Sequence, residues 1–303
     1  MKYAVEVARC GSINKAADSL LMNQPNLSRA IRELETSLGI AIFARSAKGI
    51  EVTPQGETFL RYASSILRQV DEMENMFTNN GENKKLFSVA VPRASYISHA
   101  FKTFSKAINS EKKAELFYKE TDSQSALKCV LDTDYSLGII RYPQNFERYY
   151  EQILSDKKLV CTPVTQFKYV VLMSRTHPLS EKEELAFSDL QDYIEIAHAD
   201  PYVPSLPMSK ANKKELPDNI GRRIYVFERA SQFELLSGNN STFMWVSPVP
   251  DETLERYGLV QIPCPENTTV YTDVLVHSRE YKLGELDKAF VSELFAEKKR
   301  IFG

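Results

Sequence analysis

The sequence has only four cysteines and four histidines in 303 residues. Neither set is spaced to hold a metal. Cys10, Cys129, Cys161 and Cys264 form no C-x-x-C pair and read as buried reduced thiols. His99, His177, His198 and His277 include no i, i+4 pair for zinc. No run of eighteen apolar residues could span a membrane, and no charged-then-apolar leader precedes the first helix. P-loop, G-x-G-x-x-G and G-x-S-x-G motifs are missing as well. These absences lead us to expect a soluble cytoplasmic protein that is not an enzyme and needs no cofactor or metal. Excess charge of one sign is also lacking: 38 basic residues face 40 acidic ones, for a net charge of −2. The balance is uneven along the chain. Residues 1–53 hold seven basic and five acidic side chains, a mildly positive head on an acidic body.

What is present begins in that head. From Asn23 to Glu35, helical spacing produces two faces. Leu27, Ile31, Leu34 and Leu38 recur as the apolar stripe of a helix docked on a core. Pro25, Ser28, Arg29 and Arg32 share another face, with the hydroxyl and guanidinium groups that read base edges and phosphates. Asn23 is placed to cap this helix, Pro25 suits its first turn, and Gly39 suits its end. A preceding segment capped by Ser12 repeats the pattern with Ile13, Ala16, Ala17 and Leu20. Two short helices and a tight turn describe a helix-turn-helix, although an ordinary helical hairpin with a solvated outer face has the same spacing.

Ile40–Phe43 and Ile50–Thr53 flank a turn containing Gly49 and suggest a small β-hairpin with Arg45 and Lys48 at its tip. Thr53-Pro54 then starts a long helix. Phe59, Ala63, Ile66, Val70, Met73 and Phe77 alternate at spacings of four and three, a coiled-coil seam suited to dimerisation. A long helix packed on its own domain is the other reading. The polar run 79–85 is a domain break.

Four segments in this order, Gly11–Ala17, Asn23–Arg29, Leu38–Arg45 and Thr53–Gly56, resemble the N-terminal signature of LysR-type transcriptional regulators. The resemblance implies a winged helix-turn-helix over residues 1–53, a dimer-forming linker helix over 54–80, and an effector-binding domain over 86–303. It also implies double-stranded DNA as a partner, a small-molecule effector, and assembly as a homodimer that pairs into a tetramer. Gln24, Pro25, Asn26, Ser28, Arg29 and Arg32 are expected to face the major groove, with Arg45 and Lys48 on flanking phosphate.

Beyond residue 86, short apolar runs alternate with helical patterns, an α/β region read as parallel sheets with ligand sites at strand ends. The resemblance implies two subdomains similar to periplasmic binding proteins: I over about 86–161 and 267–303, II over about 162–266. The crossovers would lie near Thr162-Pro163 and Pro263–Glu266. Strand-end logic nominates Ser95, Thr121, Ser123, Arg141, His198 and Tyr202 as effector contacts, and the resemblance places Ser247 on the far wall of the cleft. Each serine could equally be a plain helix cap. The hydroxyls and arginines together suggest a small anionic effector such as a carboxylate.

Two functions fit. One is a sequence-specific, effector-responsive transcriptional regulator. The other is a small-molecule-binding or catalytic α/β protein whose N-terminal helices only mediate oligomerisation. The second offers no reason for Ser28, Arg29 and Arg32 to share a face beside a basic wing.

Overall fold

A computed structural model describes residues 1–46, 49–78, 85–110, 113–132, 135–198 and 220–303. It divides into two compact units, residues 1–84 with the short stretch 131–134, and the remainder.

The first unit opens with α1 (Lys2–Cys10), α2 (Ile13–Ser19) and α3 (Gln24–Leu38). Ala16 and Ala17 of α2, both buried, let the helices approach closely around Ala4, Val7, Leu27, Ile31 and Ile42. The Ser12 side chain accepts from the Lys15 N–H at 3.5 Å, as an N-cap does. Asn23 occupies the N-cap position of α3, but its side chain makes no capping bond. Pro25 removes one N–H the cap would have served, and the Asn26 N–H turns to the Asn23 carbonyl at 3.0 Å. Gly39 ends α3 in the left-handed region at φ 67°, the conformation glycine adopts without penalty. Leu34 is partly buried on the core, whereas Leu38 is exposed, so the expected stripe ends one turn early.

The hairpin is shifted from its expected register. β1 (Phe43–Ser46) pairs antiparallel with β2 (Gly49–Val52), Phe43 opposite Val52, while Ile42 drops into the core before the strand begins. Glu35 fixes this entry, its Oε1 accepting from the N–H groups of Ile42 and Phe43 at 2.7 and 3.0 Å. Thr53 Oγ1 accepts from the Gly56 N–H at 2.9 Å and starts α4 (Pro54–Thr78). A Cβ on Gly56 would lie 2.1 Å from the Ile42 carbonyl oxygen, so only glycine fits there.

The second unit holds two five-stranded sheets. Sheet I has the order β4-β3-β5-β12-β6, built from β3 (Lys85–Val91), β4 (Ala114–Glu120), β5 (Leu137–Pro143), β6 (Leu159–Lys168) and β12 (Val270–Ser278). Sheet II has the order β11-β7-β10-β8-β9, built from β7 (Val170–Ser174), β8 (Ile194–His198), β9 (Arg222–Val226), β10 (Thr242–Val246) and β11 (Leu259–Ile262). Helices α5 (Ser95–Ser105), α6 (Ser123–Leu131), α7 (Glu147–Asp156) and α10 (Glu285–Phe302) accompany sheet I, and α8 (Arg229–Gly238) and α9 (Asp251–Tyr257) accompany sheet II. Leu286, Phe290 and Leu294 of α10 pack with Phe87, Phe104 and Ile97 over sheet I.

Two expectations need correction. The sheets are mixed rather than parallel: β12 runs antiparallel to β5 and β6, and β7 antiparallel to β10 and β11. The expected crossover at Thr162-Pro163 falls inside β6, and the chain changes sheets between Lys168 and Val170 instead. Pro163 is tolerated because β6 is an edge strand, and the register against β12 slips between Asp273 and Val274 beside it. The chain returns to sheet I between Ile262 and Val270. Among the described residues, no helix is long and apolar enough to cross a membrane, and no group of three His, Cys, Asp or Glu side chains could hold a metal.

Candidate functional site

The α3 face comes first. Gln24, Pro25, Asn26, Arg29 and Arg32 are exposed and Ser28 is half-buried, while Leu27 and Ile31 of the same helix are buried on the opposite side. Gln24, Pro25, Ser28 and Arg32 form one wall of a shallow groove whose other wall is Phe43, Ala44 and Ile50 of the hairpin. Gln24 Nε2 donates to Ser28 Oγ at 2.8 Å, Arg29 Nε to Glu33 Oε1 at 2.8 Å, and Arg32 Nε to the Ser28 carbonyl at 3.3 Å. Exposed pairs of this kind contribute on the order of 0–1 kcal/mol and yield easily to a stronger anion. Lys48 lies outside the described residues, as does the side chain of Arg45, whose backbone pairs with Ile50.

The α4 seam divides in two. Phe59 packs on the core of the first unit and Ala63 is buried, so these two are not available to a partner. Ile66, Val70 and Met73 remain exposed at 44%, 37% and 52%, with Tyr62 beside them at 48%. The Phe77 side chain lies outside the described residues.

The third candidate is a cavity of about 70 Å³ at the carboxyl ends of β3, β4, β8 and β10. Ser95, Thr121, Ser123, Arg141, His198 and Ser247 all border it; Tyr202 lies outside the described residues. Their roles differ from the simple strand-end reading. Ser123 Oγ donates to the Arg141 carbonyl at 2.5 Å and accepts from the Arg141 N–H at 2.8 Å, tying α6 to β5. The cap of α6 is Asp122, which accepts from the Gln124 and Ser125 N–H groups at 3.0 Å each. Ser95 begins α5 after Ala94, and its hydroxyl accepts from Arg229 Nη2 at 2.8 Å.

Arg141 is buried and forms a fork on Asp273, Nε to Oδ1 at 2.8 Å and Nη2 to Oδ2 at 2.7 Å. Burial works against its charge, but Asp273 outweighs that and holds the guanidinium protonated well above its usual range. Tyr96 also donates to Asp273, at 2.5 Å, and its own hydroxyl is pushed up by burial first and by Asp273 second. The guanidinium lies 4.7 Å from the Phe167 ring centroid. The buried Trp245 indole N–H has no acceptor among the described residues, and Trp245 and Arg141 both border the cavity.

Sequence reasoning missed Arg229, Gln232, Arg93 and Trp245, which also line the space. Arg229 opens α8, and its Nη1 donates to Glu120 Oε1 at 2.8 Å. Gln232 Oε1 lies 3.1 Å from His198 Nε2. A basic residue at the start of a helix after a strand was the signal available for Arg229.

Residues 1–57 match the family described as bacterial regulatory helix-turn-helix protein, lysR family. The HTH-type transcriptional regulator AlsR of Bacillus subtilis (strain 168) is 25% identical over 263 residues, covering 86% of this chain and 82% of that protein. Residues 1–57 are thus a LysR-family helix-turn-helix, and along most of its length the chain is similar to LysR-type transcriptional regulators. A shorter stretch is more alike: BenM of Acinetobacter baylyi is 42% identical over 76 residues, 25% of each chain. The fold extends the likeness to the whole length. ArgP from Mycobacterium tuberculosis covers 99% of this chain and 96% of its own at a TM-score of 0.63, with 14% identity.

Proposed function

We propose that the chain is a LysR-type regulator that reads DNA through the exposed face of α3, dimerises through the outer part of α4, and responds to a small anionic effector held between sheets I and II. The head over residues 1–53, the linker helix over 54–80 and the sensing region beyond 86 are the parts that carry these tasks. The reading of the cavity is supported by the buried Trp245 indole N–H, which no described residue engages, beside the guanidinium groups of Arg141 and Arg229 at a strand-end cleft. A buried donor without an acceptor is costly, and an anionic or carbonyl oxygen would relieve it. Tyr169, Met244 and Val246 add a small apolar stretch to a mostly polar lining, which suits a ligand with a small apolar body behind its oxygen atoms.

On the DNA side, Gln24, Pro25, Asn26, Ser28, Arg29 and Arg32 meet base edges and backbone, with Arg45 and Lys48 on flanking phosphate. Two heads read two half-sites of an inverted repeat, and dimers pair into tetramers. The protein works in the cytoplasm, with no catalytic step of its own.

A thermal-shift screen of small carboxylates against the full chain tests the sensing half. A ligand raises the melting temperature by mass action once its concentration exceeds its dissociation constant. The hit must lose its effect in Arg141→Gln and alter the mobility of a protein–DNA complex. A ligand that stabilises Arg141→Gln as much as the wild type places the site elsewhere.

A further inference from the structure

Two of the three arginines on the cavity wall are already paired with carboxylates. Arg141 faces Asp273, and Arg229 faces Glu120. An anionic ligand entering such a site needs a cation that can be released from its internal partner. The two arginines differ in how firmly they are held. Asp273 is fully buried in the middle of β12, grips Arg141 with both oxygens, and accepts from Tyr96 as well. It has nowhere to go. Glu120 ends β4, an edge strand; its side chain is 19% exposed, and one oxygen, Oε1, accepts from Arg229 at 2.8 Å and from Tyr118 Oη at 3.3 Å. Asp122, a carboxylate of the cavity lining itself, is engaged in capping α6.

Arg229 also has its fork divided. Nη1 serves Glu120 and Nη2 serves Ser95, each at 2.8 Å, whereas a single carboxylate can take two parallel bonds from one guanidinium. Both present partners belong to the sheet I side, and Arg229 belongs to α8 on the sheet II side. The contact is therefore a tie across the cleft.

We infer that an anionic effector acts by taking Arg229 from Glu120, exchanging an internal carboxylate for its own and undoing a tie between the two subdomains. This rests on the reading of the cavity as an anion site and adds the regulation of that site. A ligand shifts an equilibrium only through unequal affinity for the two states, and one that must evict Glu120 favours the untied arrangement. Other ties persist. Glu252 of α9 meets His99 and Lys102 of α5, and Arg93 Nη2 donates to the Phe227 carbonyl at 3.1 Å. The subdomains stay joined and re-angle.

Trp245 is the single tryptophan of the sequence, lies 7% exposed, and borders the cavity, so its fluorescence reports the site. The experiment measures acrylamide quenching of Trp245 in the full chain, with sodium acetate as the probe and sodium chloride at equal ionic strength as the control. Glu120→Ala, without ligand, is expected to be quenched about twofold more strongly than the wild type. Acetate is expected to raise wild-type quenching saturably toward the same level. Its affinity should be about tenfold higher in Glu120→Ala, where the competitor is gone, and its effect should vanish in Arg229→Gln. The isosteric Glu120→Gln repeats the affinity test should Glu120→Ala fail to fold. Wild-type quenching, or wild-type acetate affinity, in the Glu120 variants overturns the exchange and leaves the anion site standing. No acetate response in any form overturns the anion reading, and the exchange falls with it.

Discussion

Arg141 and Asp273 sit directly opposite each other on the antiparallel pair β5 and β12, joined by two hydrogen bonds of 2.8 and 2.7 Å. Their position explains why a residue nominated from sequence as a ligand contact is also a core element. Removing Asp273 leaves a buried, uncompensated guanidinium, which costs about 3–5 kcal/mol. Asp273→Ala should lower the unfolding free energy, read from urea titration followed by Trp245 fluorescence, by an amount of that order. The double variant Arg141→Met/Asp273→Leu should recover most of the loss. Equal destabilisation in both would show that the pair contributes through something other than charge compensation.

The divided seam of α4 makes a separable prediction. Ile66→Asp and Met73→Asp should dissociate the dimer in sedimentation velocity while leaving the melting of the first unit close to wild type, because both residues are exposed. Phe59→Ala should do the reverse, destabilising the head by about 3 kcal/mol with a dimer still present where the head is folded. A dimer that survives both aspartates places the assembly surface elsewhere.

His177 should give the stability of the second unit a pH dependence. Its ring is buried, its Nδ1 accepts from the Leu179 N–H at 3.0 Å, and burial lowers its pKa from 6.5 to about 4. Between these values the unfolded chain binds the extra proton, so stability falls as pH drops from about 6.5 to about 4 and this contribution then levels off. Glu252, held at about 2 chiefly by Lys102 and next by His99, acts in a lower window between 4.5 and 2. Unfolding midpoints between pH 7 and 4 should therefore slope less in His177→Asn, whose side-chain oxygen can still accept from Leu179. An unchanged slope would remove His177 from the account.

How much the sequence revealed follows from which forces are local. Helix α3, its glycine stop, and the span of α4 rest on periodicity and end signals, and all can be read from residues near one another. That Ser95, Thr121, Ser123, Arg141 and His198 border one cavity was legible because strand ends converge in open α/β sheets, while Ser247 was placed by the family resemblance. Non-local choices were hidden. Pro163 argued against a strand until the edge position of β6 was known, and the antiparallel run of β12 depends on a partner more than a hundred residues away. The Asn23 side chain misses its capping role for a local reason, the proline two residues on. Arg229 was missed because its importance comes from Glu120 and Ser95 on the other side of the cleft.

The central claim is that α3 reads DNA by its polar face, and fluorescence anisotropy tests it most directly. The full chain is titrated onto labelled duplex from the region upstream of its own gene, over a series of salt concentrations, beside Arg29→Ala and Arg32→Ala. The account predicts specific binding by the wild type and a loss of about 1–3 kcal/mol for an arginine that reads a base, with relaxed preference for that duplex over a scrambled one. An arginine on phosphate should instead lower the salt slope by about one. Wild-type affinity, specificity and salt slope in both variants would contradict the assignment of α3.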